Sequence, residues 1–194
     1  PITVAPTAGR VVVTFNGKVL ADSQRALTLR EASYAPVQYI PSEDVQMEFL
    51  TATEKESYCP YKGTASYWSI AAGGRVSENA VWGYPDPFAE VADIKEFVAF
   101  YWNRVDHWFE EDDEIFVHAR DPYKRVDVVA SSRPVEVIIG GETVARTMRA
   151  RFLYETRLPT RYYIPPEDVR MDLLVPSDTV TACPYKGQTS GYWS

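Results

Sequence analysis

Apolar and polar positions change over short distances along this chain. The first clear pattern is a pair of apolar runs, Val11-Val12-Val13 and Val19-Leu20-Ala21, separated by Asn16-Gly17. Asparagine and glycine accept positive φ more readily than other residues, so the pattern predicts two antiparallel strands joined by a two-residue turn. The arrangement returns at Val135 to Ile139 and Thr143-Val144-Ala145, now around Gly140-Gly141. Asp44-Val45-Gln46-Met47-Glu48-Phe49 alternates polar with apolar, as does Asp168-Val169-Arg170-Met171-Asp172-Leu173. Each is expected as a strand with Val, Met and Phe or Leu turned inward. Gly73-Gly74 predicts a further hairpin turn, Arg75 to Tyr84 a strand, and Pro85-Asp86-Pro87 a break before a short helix near Phe88 to Lys95. Phe97 to Trp102 is expected as another strand. Long helical periodicity is hard to find, so the expected fold class is mainly β with short helices.

These recurrences belong to one internal repeat. At an offset of 124, Tyr39-Ile40-Pro41 falls on Tyr163-Ile164-Pro165 and Cys59-Pro60-Tyr61-Lys62-Gly63 on Cys183-Pro184-Tyr185-Lys186-Gly187. Residues 11–66 share 22 identities with their counterparts in 56 ungapped positions, and one extra residue, Gly191, then restores Tyr67-Trp68-Ser69 onto Tyr192-Trp193-Ser194. Duplication of a folded unit is the natural reading. The expected organisation is a first module over 1–104, a structured connector over 105–132 and a second module over 133–194. The second module has no counterpart of Ala72 to Trp102. A sheet without its closing strands leaves unpaired N–H and C=O groups, so those edges are expected to be covered. Cover would come from chain beyond Ser194, from another chain, or from self-association through the incomplete second module.

Composition agrees with a β-rich reading: 13 Tyr, 8 Phe and 5 Trp suit pleated, half-buried surfaces, and 14 Pro with 10 Gly supply turns. A net charge of −7 repels phosphate backbones and anionic membrane surfaces, so neither nucleic acid nor membrane is an expected partner. No stretch approaches the ~20 apolar residues of a membrane span. Two cysteines, Cys59 and Cys183, exclude a Cys-x-x-Cys zinc site and fit a reducing cytoplasm. The acidic run Glu110 to Glu114 has the ligand chemistry for a hard cation, but such runs are usually solvated. No metal and no cofactor are expected.

The segments Tyr39-Ile40-Pro41, Glu43-Asp44-Val45, Cys59-Pro60-Tyr61-Lys62-Gly63, Ser66-Tyr67-Trp68-Ser69 and Trp82-Gly83-Tyr84-Pro85-Asp86-Pro87 together resemble the family called domain of unknown function 427. The resemblance spans nearly the whole chain. It implies tandem modules of the β-tent fold found in methionine sulfoxide reductase B and its relatives. Zinc-bearing β-tents use paired Cys-x-x-Cys motifs, which this chain lacks. The family's nucleotidyltransferase-like label finds no Gly-Ser followed by an Asp-x-Asp pair, and no phosphate-cradling Gly-x-x-x-x-Gly-Lys loop.

Several repeated residues carry candidate chemistry. Cys59 with Lys62, and Cys183 with Lys186, place a thiol near an ammonium, the arrangement of an activated nucleophile. The same residues also suit a hairpin turn in which Gly63 takes positive φ and Cys59 is a small buried hydrophobe. His107 and His118 lie outside the repeat, which excludes a duplicated histidine site; with Asp106 and Asp121 they form either an acid/base cluster or ordinary packing. Arg25 and Glu31 recur as Arg149 and Glu155, either lining a polar pocket or pairing on a solvated face. Tyr39, Tyr61, Tyr67, Trp68, Trp82 and Tyr84, repeated in part as Tyr163, Tyr185, Tyr192 and Trp193, make core or an aromatic pocket wall. Three functions follow: a module binding a small polar or anionic ligand in an aromatic-lined cleft, a thiol-dependent enzyme using the Cys-Pro-Tyr-Lys-Gly loop, or a structural and interaction protein.

Overall fold

The computed structural model describes residues 2–194, a mainly β chain divided into two compact units, Pro1–Arg120 and Asp121–Ser194. The first unit opens with β1 (Ile2–Pro6), then the hairpin of β2 (Val11–Phe15) and β3 (Lys18–Ser23). Asn16 and Gly17, at φ 48° and 71°, form the two-residue turn between them, as their side chains allow. After β4 (Leu27–Glu31) and β5 (Val37–Pro41) come two meandering strands, β6 (Leu50–Cys59) and β7 (Gly63–Ala72). Then follow β8 (Arg75–Gly83), β9 (Phe97–Phe100), β10 (His107–Glu110) and β11 (Asp113–Glu114).

Seven strands form one antiparallel sheet in the order β1-β4-β5-β9-β8-β7-β6. The short strand β9 is its keystone, because it pairs with β5 on one side and β8 on the other. Four strands, β11-β10-β2-β3, form a second sheet. Alternation along each strand sends neighbouring side chains to opposite faces of the large sheet. Ile40, Trp68, Val81, Val98 and Phe100 join a cluster with Val11, Val13, Phe15, Leu20 and Trp108 from the four-stranded sheet. Tyr39, Tyr67, Trp82 and Ala99 face the other way, into a second cluster with Tyr84 and with Val91 and Ile94 of the 3-10 helix Ala89–Ile94.

The second unit rebuilds the start of the first with the same register. It comprises β12 (Val126–Ala130), β13 (Val135–Ile139), β14 (Glu142–Thr147), β15 (Arg151–Glu155) and β16 (Arg161–Tyr163), then four two-residue strands: β17 (Pro176–Ser177), β18 (Ala182–Cys183), β19 (Gly187–Gln188) and β20 (Tyr192–Trp193). Ile2↔Glu31 corresponds to Val126↔Glu155, and Leu27↔Tyr39 to Arg151↔Tyr163. The β2–β3 bulge after Val13 recurs after Val137. Cys59↔Gly63 recurs as Cys183↔Gly187, and the bridge Ala21↔Val45 as Ala145↔Val169. Duplication therefore extends to β1 and β12, beyond the part visible as sequence identity. Among the described residues the second unit has no equivalent of β8, β9 or β10.

Two alternating segments are not strands. Ser42–Asp44 and Met47–Phe49 are 3-10 helices, as are Pro166–Asp168 and Met171–Leu173. Val45 is buried and Phe49 packs half-buried against the core, but Met47 and, in the second unit, Leu173 are exposed, because the chain turns between them. Val45 makes a single bridge to Ala21 while Asp44 reaches back to accept from the Ser23 hydroxyl at 2.6 Å, a bond that needs a turned backbone. Phe97 to Trp102 is a strand only to Phe100, after which Trp102–Arg104 turns as a 3-10 helix. The stretch 105–132 is shared: β10 pairs with β2 of the first unit, and β12 with β15 of the second.

Candidate functional site

The turn closing β6 and β7 positions the central residue. Cys59 pairs with Gly63, the Lys62 N–H donates to the Cys59 carbonyl, and Gly63 sits at φ 103°. The loop after β8 lies over this turn: the Phe88 N–H donates to the Lys62 carbonyl at 3.2 Å, and a Cβ on Gly63 would stand 3.2 Å from the Asp86 carbonyl oxygen. Lys62 is thereby buried, and its ammonium donates to the Glu31 carboxylate at the end of β4.

Beside this ion pair is a cavity of about 220 Å³. Glu31, Lys62, Tyr39, Trp82, Tyr67 and Tyr84 line it from the large sheet and its following loop. Tyr101 closes one side, its ring 4.3 Å from that of Trp82, and Leu29, Tyr34, Ala35 and Val37 complete the wall. Burial lifts the Tyr39 and Tyr84 phenols well above the ordinary tyrosine range. Tyr101 is pushed up to about 12 by burial first and by its hydrogen bond with Tyr67 next. These phenols are neutral hydroxyls at physiological pH, suited to holding a ligand by hydrogen bonds and unsuited to acting as bases. The Tyr67 hydroxyl also bonds Ser57 Oγ at 2.8 Å, which fixes its ring.

Of the residues singled out in the sequence, Glu31, Tyr39, Lys62 and Trp82 meet in this cavity together with Tyr67 and Tyr84. Cys59 packs half-buried against the same aromatic cluster. Trp68 lies on the opposite face of the sheet, and Tyr61 projects from the turn into solvent. Arg25 does not reach Glu31: its guanidinium forks onto Asp44 (2.5 Å) and Glu43 (3.1 Å) on the surface. Arg149 repeats that clamp on Asp168 at 2.8 Å. Tyr34 and Tyr101 belong to the cavity without having been singled out; for Tyr101 the signal was its place in the apolar stretch Phe97 to Trp102.

In the second unit Lys186 again donates to Glu155, and Lys124 adds a second ammonium 2.9 Å from the other carboxylate oxygen. Burial alone pushes the Glu155 carboxyl up, but the two ammonium groups outweigh it and hold the carboxyl below its ordinary value. Burial likewise pulls Lys186 down, and the Glu155 bond together with the attraction of Cys183, Glu155 and Tyr163 outweighs it, leaving it raised. Tyr185 is half-buried, accepts the Asp121 N–H at 2.7 Å and lies under Lys124. Tyr163 and Trp193 are exposed, and Cys183 is half-buried.

His107 bonds Glu114 at 2.7 Å, while Asp106 is engaged by Arg75 and the Asn16 N–H, so the bonds do not assemble these residues around one another. Within the acidic run, Glu111 accepts the Arg10 N–H and Glu110 pairs with Arg120. Among the described residues no group of three or more His, Cys, Asp or Glu side chains has a metal-holding arrangement, and no helix is long and apolar enough to cross a membrane.

No curated protein matches the chain. A family model matches it twice, over residues 3–111 and again over 127–194, each segment falling within one of the two units. With most of its length inside these segments, the chain belongs to the family described as Domain of unknown function (DUF427).

Proposed function

We propose that the first unit is a binding module for a small polar ligand, held in the tyrosine-walled cavity beside Lys62 and Glu31. The observation that carries this reading is the convergence of one ammonium, one carboxylate and five phenols on about 220 Å³. At roughly 30 Å³ per water molecule the space equals about seven waters, so the ligand is small. Trp82 and Tyr101 supply ring faces for its flat or apolar part, and the hydroxyls and the Lys62–Glu31 pair orient its polar groups. An anionic group on the ligand would compete with Glu31 for Lys62. The thiol-dependent alternative has weaker support, because the Lys62 ammonium is directed to Glu31 rather than held for Cys59.

The test is a thermal-shift and calorimetric screen of small carboxylates, amino acids, phosphates and polyols against the intact chain. A true ligand stabilises the first unit, and Lys62→Met or Tyr101→Ala weakens it at least about tenfold, the loss typical of a removed anchor. A ligand whose affinity is unchanged by both substitutions, or no ligand in any class, overturns the reading.

A further inference from the structure

Two strands of the large sheet bulge beside one another, one on each side of β7. Between the pairs Ala52↔Trp68 and Glu56↔Ser66, β6 sets Thr53, Glu54 and Lys55 against Tyr67 alone. Between Trp68↔Val81 and Ile70↔Ser77, β8 sets Glu78, Asn79 and Ala80 against Ser69 alone. Asn79 takes a left-handed φ of 50° there, and its N–H donates to Ser69 Oγ at 3.0 Å. Its Oδ1 accepts from the Thr53 hydroxyl at 2.8 Å, which ties the second bulge to the first across β7. Bulges re-aim side chains and collect next to functional sites, and here a side-chain bond locks two of them together.

The bulges frame a polar recess of about 280 Å³, lined by Lys55 from the first, Glu78 and Asn79 from the second, and Tyr101, Asn103 and Arg104 after β9. It adjoins the tyrosine cavity, because Tyr101 lines both. Lys55 Nζ stands 4.2 Å over the ring of Tyr67, another wall of that cavity. Burial pushes the Tyr101 phenol up, and the charge of Arg104 draws it part of the way back, so the guanidinium is felt at the partition. Among the described residues neither Lys55 nor Arg104 is paired with a carboxylate, whereas Arg10, Arg25, Arg75 and Arg120 of the same unit each are. Glu78 is the one acid in the lining; Glu54 and Glu56, on either side of Lys55 in the chain, do not line it. Two cations thus face one carboxylate, a local positive excess in a chain of net charge −7. Unpaired cations with amide donors beside them have the chemistry of an anion site.

We propose that this recess holds the anionic group, a carboxylate or a phosphoryl group, of a small molecule whose remainder lies in the tyrosine cavity. Lys55 and Arg104 anchor the charge, and Tyr101 stands between the two parts. Resting on the binding role of the cavity, this adds one requirement to the ligand, a negative charge placed at the outer end.

The probes are phenol for the cavity, inorganic phosphate for the recess, and phenyl phosphate for both, with acetate and phenylacetate as the carboxylate pair. Each is titrated into the intact chain at constant ionic strength and followed by amide, indole and arginine Nε resonances. Phosphate or acetate is expected to give saturable shifts at Lys55, Asn103 and Arg104, and the tighter of the two identifies the preferred group. Phenol is expected to shift the Trp82 indole. The linked compound of the preferred group is expected to bind at least about tenfold more tightly than either part, because tying two occupants together raises their effective concentration. Lys55→Gln with Arg104→Gln is expected to remove that gain and leave phenol binding unchanged; both side chains are exposed, so the core is untouched. Neither anion saturating, or saturation unaffected by the two substitutions, overturns the anion site and leaves the cavity reading standing. Anion binding without any response of the cavity to phenol or to the linked compounds strikes the cavity reading, and the two-part ligand falls with it. Binding of both parts with no gain on linkage shows two separate sites and also overturns the proposal.

Discussion

At the scale of single residues, the feature common to both units is a glutamate at a strand end held by the lysine of the Cys-Pro-Tyr-Lys-Gly turn. Repetition made Glu31, Lys62, Glu155 and Lys186 visible in the sequence, but not who pairs with whom. Arg25 stands nearer Glu31 along the chain, yet the β6–β7 hairpin delivers Lys62 across 31 residues while Asp44 captures Arg25. Lys124 lies before the region of identity, and nothing in the sequence marked it. Glu155 yields a prediction about pH. Its carboxyl titrates below the ordinary value of 4.5 in the folded chain, so in acid the unfolded chain takes up the proton first. Its stabilisation is complete above 4.5 and is lost as pH falls through the folded value. Glu155→Gln removes that contribution and leaves two ammonium groups facing a neutral amide, a loss of about 1–3 kcal/mol at pH 7. Hydrogen exchange of the β12 and β15 amides should accelerate at neutral pH in the variant and respond less to acid. An unchanged pH profile contradicts the assignment.

Turns are the elements the sequence expressed best, because their backbone angles admit few residue types. Asn16-Gly17, Gly73-Gly74, Gly140-Gly141 and the Cys59–Gly63 turn all adopt positive φ where expected. Elements fixed by distant partners were less legible. The 3-10 turns at 42–49 imitate strand alternation in sequence, yet only Val45 and Phe49 turn toward the core while Met47 is exposed. β1 and β12 share a register while only Val4 and Val128 are identical between them, since ladder bonds run through the backbone and tolerate changed side chains. The paired hairpins offer an internal control. Asn16 Nδ2 donates to the carbonyls of Ala72 and Gly73, both at 3.0 Å, and so ties the β2–β3 turn to the β7–β8 turn. The second unit has Gly140 there and no second turn to hold. Asn16→Gly should therefore lower the denaturation free energy by about 1–2 kcal/mol through two lost bonds. Gly140→Asn should change it by less than about 0.5 kcal/mol, since asparagine tolerates positive φ. Equal effects at the two positions would argue that the turn's own conformation, rather than the tie, governs stability.

Across the whole molecule, identical early registers end in unequal cores. The first unit buries two apolar clusters on the two faces of a seven-stranded sheet, closed by β8 and β9. The second keeps small sheets of two and three strands, and Ile138, Ile139, Tyr162 and Tyr163 stand open on them. Apolar area removed from water is worth roughly 25 cal/mol per Å², so the second unit has less to offset its chain entropy. Its strands should open first in denaturant. Spectroscopy can separate the two events because the tryptophans are unevenly placed: Trp68, Trp82, Trp102 and Trp108 lie in the first unit, and Trp193 is exposed in the second. Tryptophan emission therefore follows the first unit, whereas far-ultraviolet circular dichroism follows strands in both. In a guanidinium titration the dichroism should begin to fall at lower denaturant than the emission shifts, giving two midpoints. Coincident transitions would show that the second unit draws stability from more than its own core.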